Sequence, residues 1–101
     1  MRIAWSEPAL ADLAAIHDYI ARDSAHYAQR YVVRLIAAVE PLETFPQLGR
    51  IVPEGDGRHR EILLHPYRII YRVEGQEILI VTVVHGRRDL AGADKEPWDR
   101  T

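Results

Sequence analysis

The sequence YRIIYRVEGQEILIVTVVH, residues 67–85, contains two apolar runs that meet at Glu74-Gly75. Runs rich in β-branched and aromatic residues, separated by a short turn with glycine, predict a β-hairpin. We expect strands over residues 67–73 and 76–85, and another over residues 61–65 that is interrupted at His65-Pro66. Strands joined by such short turns are antiparallel neighbours. The second half of the chain therefore predicts an antiparallel sheet.

Side-chain alternation predicts which face of this sheet carries charge. Successive side chains of a strand point to opposite faces, so Arg68 and Arg72 share one face of the first hairpin strand. We expect that face to be open, and Arg60 to join it from the preceding strand. The opposite face is apolar enough to be covered, and it carries Tyr67, Ile69, Tyr71 and Val73.

The last strand is apolar on both faces, which predicts a central position in the sheet. Strict alternation would place Leu79, Val81, Val83 and His85 together. The end of this strand would deliver His85, Arg87 and Arg88 to the rim of the sheet.

The first half of the chain predicts a short strand over residues 2–5 and a helical hairpin. Ser6 is a suitable N-cap for the first helix, with Pro8 in its first turn. Asp23-Ser24 restarts the apolar periodicity, and Pro46 ends the second helix at the latest. Residues 46–57 are dense in turn formers and predict a surface loop, with Arg50 anchored on a carboxylate. We therefore expect one α+β domain over residues 1–101, ordered β-α-α-β-β-β, with the helical hairpin on one face of an antiparallel-rich sheet.

Composition excludes several classes of function. The chain of 101 residues has no cysteine, which rules out disulfide frameworks, thiolate catalysis and cysteine-based zinc sites. His17, His59 and His65 lack metal-ligand spacing, so we expect no metal and no cofactor. No apolar segment reaches the roughly 20 residues of a membrane span. These features predict a cytoplasmic protein without membrane contact.

The charge is distributed unevenly. The formal net charge is −2, which argues against a general nucleic-acid binder, yet residues 58–88 carry six arginines and three glutamates. Arginine is suited to forked contacts with phosphate or carboxylate. A recognition surface, a catalytic site and an inert strand end all fit this pattern. Arg68 and Arg72 can also simply pair with Glu61, Glu74 or Glu77 across strands.

Four motifs, in this order on these elements, resemble the RelE/ParE superfamily of type II toxin-antitoxin toxins. The similarity covers residues 3–90 and leaves residues 91–101 as a tail. It implies a cognate antitoxin partner whose C-terminal segment wraps the toxin. The motifs are an opening WSxxAxxDLxxIxxYI from Trp5 to Ile20, PxxGR from Pro46 to Arg50, YRIIYR from Tyr67 to Arg72, and HGRRD from His85 to Asp89.

The resemblance implies two possible targets. RelE-like toxins cleave mRNA on the ribosome, and their phosphate-binding arginines match Arg68 and Arg88 of this chain. His85 of this chain could act as a substitute acid or base, since histidine titrates near neutral pH. Their catalytic lysines and late tyrosine have no counterpart here. ParE-like toxins act on DNA gyrase and have no nuclease activity, and the HGRRD ending is closer to theirs. We therefore favour a gyrase inhibitor, keep a metal-independent endoribonuclease as the alternative, and allow for a member that has lost toxicity or has another target. In each case we expect binding of antitoxin or target by Arg60, Arg68, Arg72, His85, Arg87 and Arg88.

Overall fold

A computed structural model describes residues 1–86 of the chain. Its α+β architecture has the predicted order, with one additional strand between the second helix and the predicted sheet. Arg87 and Arg88, together with the predicted tail, lie outside the described residues. The elements are β1 (Arg2–Trp5), α1 (Glu7–Ala21), α2 (Ala25–Val39), a 3₁₀ turn (Glu40–Glu43), β2 (Arg50–Ile51), β3 (Arg60–Leu64), β4 (Tyr67–Glu74) and β5 (Glu77–His85).

The helical hairpin begins and restarts at its predicted caps. The Ser6 hydroxyl accepts a hydrogen bond from the Ala9 N–H at 3.1 Å, and the Ser24 hydroxyl accepts one from the Tyr27 N–H at 3.1 Å. Each cap satisfies an N–H that has no partner within its own helix. The apolar stripes of both helices pack on one face of the sheet. The main core contains Leu13, Ile16, Leu35, Val39, Ile69, Tyr71, Ile78 and Ile80. No helix within residues 1–86 is long and apolar enough to cross a membrane.

The five strands form one mixed sheet in the order β1-β5-β4-β3-β2. The pairing of β1 with β5 is parallel, and the other three pairings are antiparallel. The predicted central position of the last strand is confirmed, because β5 lies between β1 and β4. Gly75 closes the β4–β5 turn with a φ of 60°, a conformation that glycine adopts without steric cost.

The predicted alternation along β5 is wrong for Val83 and Val84. Ile70 pairs with Thr82 whereas Tyr71 pairs with Ile80, so Val81 is an extra residue in β5. A bulge of this kind interrupts the two-residue period of a strand. As a result Ile80 and Val83 both pack with the helices, while Val81 and Val84 pack on the opposite face.

The face of the sheet opposite the helices is not open, contrary to our expectation. Residues 52–59 fold back over it, and Val52 packs there against Ile70, Val81 and Val84. The prediction of a surface loop over residues 46–57 is wrong for residues 50–52. Arg50 and Ile51 form β2 against β3, and Val52 is buried. We call residues 52–59 the covering loop.

Candidate functional site

The covering loop forms a cleft of about 610 Å³ with the β3–β4 turn and the end of β5. We call it the histidine cleft, because His65 and His85 both line it. Arg68 lines it as well, so the structure brings together two residues that the sequence singled out as candidates. Arg50, Glu54 and Tyr67 are further lining residues.

The guanidinium of Arg68 is held by two carboxylates. Its Nη2 and Nη1 donate to the two carboxylate oxygens of Glu54 at 2.9 and 3.1 Å, and its Nε donates to Glu61 at 2.7 Å. The hydrogen bonds that Arg68 donates to Glu54 raise the pKa of Arg68 most, and its hydrogen bond to Glu61 raises the pKa further, against the opposing effect of burial. Pairing with Glu61, one of the alternatives considered for Arg68, is confirmed. The sequence analysis did not identify Glu54, which belongs to the covering loop.

Glu61 is the most buried member of this ion-pair group. Its side chain has no solvent exposure, and it lies between Arg68 and the Nε of Arg50, which is 2.5 Å away. The expected anchoring of Arg50 on a carboxylate is thereby confirmed. A carboxylate removed from water is costly unless it is paired and hydrogen-bonded. Arg50 and Arg68 both supply that compensation.

His85 stands at the exposed end of β5, beside an aromatic row. Its ring meets the ring of Tyr67 edge to face, with centroids 5.7 Å apart. The Tyr67 ring in turn contacts Tyr31 at 5.9 Å, and the Tyr31 hydroxyl donates to the carbonyl of His65 at 3.1 Å. Burial raises the pKa of Tyr67 above its ordinary value. The row fixes the wall of the histidine cleft on which His85 lies.

Arg60 and Arg72 line a different cleft, of about 270 Å³, together with Arg58. We call it the arginine cleft. Arg60 pairs with Tyr71 and so lies on the helix-covered face of the sheet. Our expectation that Arg60 shares an open face with Arg68 and Arg72 is therefore wrong. The Nε of Arg72 donates to Glu74 at 2.8 Å. Glu74 is one of the partners considered for Arg72, but both residues lie in β4, so the pairing is not across strands.

Comparison with known proteins assigns the family. Residues 3–90 match the family model described as the ParE toxin of the type II toxin-antitoxin system parDE. The chain belongs to this family. This ParE-family chain is 38% identical over 88 residues to Toxin RelE2 of Caulobacter vibrioides, covering 86% of this chain and 97% of the relative. It is 25% identical over 91 residues to Toxin ParE3 of the same species, covering 89% of this chain and 91% of that relative.

Two solved structures share the fold of this ParE-family chain. A chain of the chromosomal ParDE toxin-antitoxin system from P. aeruginosa superposes with a TM-score of 0.74 at 30% identity, covering 84% of this chain and 95% of that one. A chain of the RelBE2 toxin-antitoxin complex from Mycobacterium tuberculosis superposes with a TM-score of 0.62 at 17% identity, covering 83% of this chain and 95% of that one. The RelE/ParE resemblance and the predicted fold class are thereby confirmed. The names of the relatives include both RelE and ParE.

The sequence analysis did not single out His59 of this ParE-family chain as a site residue. His59 is 2% exposed; its Nδ1 lies 3.4 Å from Asp56 Oδ1, and its Nε2 lies 3.4 Å from Nη1 of Arg72. Because the guanidinium can only donate, Nε2 must be the acceptor and Nδ1 must carry the proton. Burial lowers the pKa of His59, although the Asp56 carboxylate opposes that shift.

We predict that acid weakens the fold of this ParE-family chain through His59. Its folded-state pKa lies below the ordinary value of 6.5, so the unfolded state takes up the proton first, and stability falls as the pH drops through that value. The test is urea denaturation of wild type and His59→Gln between about pH 7.5 and pH 5.5. The stability of wild type should fall more steeply than that of the variant. His17→Gln, at a histidine whose side chain is 42% exposed, is measured in parallel as the control. Parallel slopes for wild type and His59→Gln would contradict the prediction.

Proposed function

We propose that this chain is a growth-inhibiting toxin that acts on DNA gyrase and is neutralised by a cognate antitoxin. The observation that carries the choice of target is the engagement of Arg68 by Glu54 and Glu61. A ribonuclease would need that guanidinium to face a phosphate. The match to the ParE family model and the ParDE structural match support the same choice.

The electrostatics of the histidine cleft argue against phosphate cleavage. Metal-free RNA cleavage requires a proton acceptor, a proton donor and cations that stabilise the developing charge on the phosphate. Here the two cations, Arg50 and Arg68, are balanced by the carboxylates of Glu54 and Glu61. Glu54 also lines the cleft, where it would repel a phosphate. Residues 1–86 include no lysine to restore the balance.

A ribosome-dependent mRNA endonuclease is the second candidate. The observation in its favour is that Arg68 and His85 line one cleft, and Arg88 would follow two residues after Gly86. The 38% identity to a protein named Toxin RelE2 also favours it. In this mechanism His85 would transfer a proton, and the arginines would hold the scissile phosphate once Glu54 had moved away.

An antitoxin partner is supported by the origin of the matched structures, which come from ParDE and RelBE2 systems. We propose that its acidic segment contacts Arg60 and Arg72 in the arginine cleft and His85 in the histidine cleft. Arg87 and Arg88 would extend this surface. Arg68 is too deeply buried for direct contact while Glu54 holds it, so it would act by positioning the covering loop.

We predict that expression of this chain without antitoxin arrests growth with induction of the DNA-damage response and without mRNA cleavage. Purified chain should inhibit supercoiling by gyrase in vitro. His85→Gln should retain this activity, because an amide still forms hydrogen bonds while it cannot transfer a proton at neutral pH. His17→Gln is the matched control, at a histidine of α1 outside both clefts whose side chain is 42% exposed.

The endonuclease alternative makes the opposite prediction. As a general acid or base, His85 would account for about 10²–10⁴-fold in rate, so His85→Gln would abolish toxicity with the fold intact. Cleavage of mRNA on ribosomes by wild type, with unaffected gyrase, would overturn the gyrase proposal.

A further inference from the structure

The arginine cleft concentrates positive charge without compensation in its lining. Its described lining residues include three arginines and no carboxylate: Gln47, Arg58, Arg60, Tyr71, Arg72 and Val73. The histidine cleft differs, because Glu54 there balances the cations. Glu74 is the carboxylate bonded to Arg72, and it engages Nε alone.

Several guanidinium donors of this cleft are uncommitted. Arg60 uses its Nη1 to donate to the carbonyls of Gly49 and Gln47 at 2.8 and 3.4 Å. Within residues 1–86, Nε and Nη2 of Arg60, Nη2 of Arg72 and the whole guanidinium of Arg58 have no protein acceptor. Donors with no acceptor, gathered around one cavity, suit an anion with several oxygens.

Two of the three arginines are held in place before any ligand arrives. The carbonyls of Gly49 and Gln47 fix Arg60, while Glu74 and His59 fix Arg72, whose side chain is 17% exposed. Preorganised side chains lose little conformational entropy on binding. Arg58, the third arginine that lines the arginine cleft, is exposed.

We propose that the arginine cleft binds a phosphate group. Guanidinium groups match the geometry of phosphate oxygens, and three of them around one cavity favour a multiply charged tetrahedral group over a single carboxylate. The phosphate can belong to a nucleic-acid backbone or to a nucleotide. This inference does not depend on the target of the toxin. An antitoxin segment that contacts Arg60 and Arg72 would compete with the phosphate for the same cleft.

The test is binding of the full-length chain to three probes: a fluorescent short duplex DNA, ATP and inorganic pyrophosphate. Arg58→Gln and Arg60→Gln should each weaken binding about tenfold or more, since hydrogen bonds to charged groups contribute that much. For DNA, the logarithm of the binding constant falls linearly with the logarithm of the salt concentration. Each substitution should make that slope shallower by about one. Arg30→Gln, at an exposed arginine of α2 outside both clefts, should bind like wild type. Arg58 is exposed, so Arg58→Gln keeps the test valid if Arg60→Gln disturbs folding.

The probes distinguish the source of the phosphate. Tight binding of DNA with weak binding of ATP and pyrophosphate identifies a nucleic-acid backbone, whereas the reverse identifies a nucleotide. Absence of binding to all three probes overturns the proposal. So does binding that Arg58→Gln leaves unchanged, which would place the phosphate elsewhere on the chain.

Discussion

Arg68→Met is expected to lower the free energy of unfolding by about 3–5 kcal/mol. The substitution removes the buried cation between Glu54 and Glu61. Glu61, which has no solvent exposure, would keep Arg50 as its ion-pair partner, and the Arg50 side chain is 58% exposed. Removing one partner of a buried ion pair leaves a charge that water cannot reach, so the cost exceeds the value of a surface pair.

Chemical denaturation of wild type and variant gives the measurement, with Arg2→Met as the control. Arg2 also bonds to a glutamate, Glu77, at 2.9 Å, but its side chain is 84% exposed. An exposed pair contributes about 1 kcal/mol or less. If Arg68→Met cost no more than Arg2→Met, water would already reach Glu61, and Arg68 would be available for a ligand.

The double variant Arg68→Met with Glu61→Leu separates ion-pair loss from cavity formation. Replacing a buried ion pair by apolar side chains of similar volume is often neutral or stabilising. The double variant should therefore be more stable than Arg68→Met alone. Toxicity of any Arg68 variant is informative only after this comparison, because an unfolded toxin is also inactive.

The helices and the β4–β5 hairpin could be predicted because their signals are local. Ser6 and Ser24 cap helices within three residues of themselves, and Gly75 supplies the turn conformation within its own hairpin. Each signal acts through contacts close in sequence, and such contacts do not depend on the rest of the fold.

Features that depend on register could not be read from the same patterns. The extra residue Val81 shifts β5 against β4, and nothing in an uninterrupted apolar run marks that position. Arg60 was assigned to the wrong face because the side that it occupies depends on the pairing of Leu64 with Tyr67 across the turn. β2 consists of two residues and is held by β3, so it has no periodicity of its own.

The candidate site was partly predictable for the same reason. Arg68 and His85 come together because Tyr67 pairs with His85 where the two hairpin strands end. Glu54 and His59 reach the site through the covering loop, whose path is set by the burial of Val52 and not by its turn residues. Glu54 bonds to Arg68 and His59 contacts Arg72, so these two arginines are not free cations on an open sheet.

Gly49→Ala is expected to destabilise the fold by about 1–3 kcal/mol. A Cβ at this position would lie 2.6 Å from the carbonyl oxygen of Glu61, 2.7 Å from Cε1 of Tyr71 and 2.9 Å from the Tyr71 hydroxyl. Neither neighbour can yield easily, because one is backbone of β3 and the other is a fully buried ring. Replacing glycine by alanine also restricts the unfolded chain, but that gain is about 0.4–1 kcal/mol and does not offset the clash.

The clash would disturb the hydrogen bonds that connect residues 46–49 to Tyr71 of β4. The Gly49 N–H donates to the Tyr71 hydroxyl at 2.9 Å, and that hydroxyl donates to the Pro46 carbonyl at 2.8 Å. Tyr71→Phe, which removes both hydrogen bonds and the hydroxyl contact, is the reference background for denaturation measurements. Gly49→Ala should cost less in that background than in wild type, because part of the steric conflict is gone. A Gly49→Ala variant as stable as wild type would mean that residues 46–50 shift freely, and the carbonyl of Gly49 would then be too mobile to hold Arg60 in the arginine cleft.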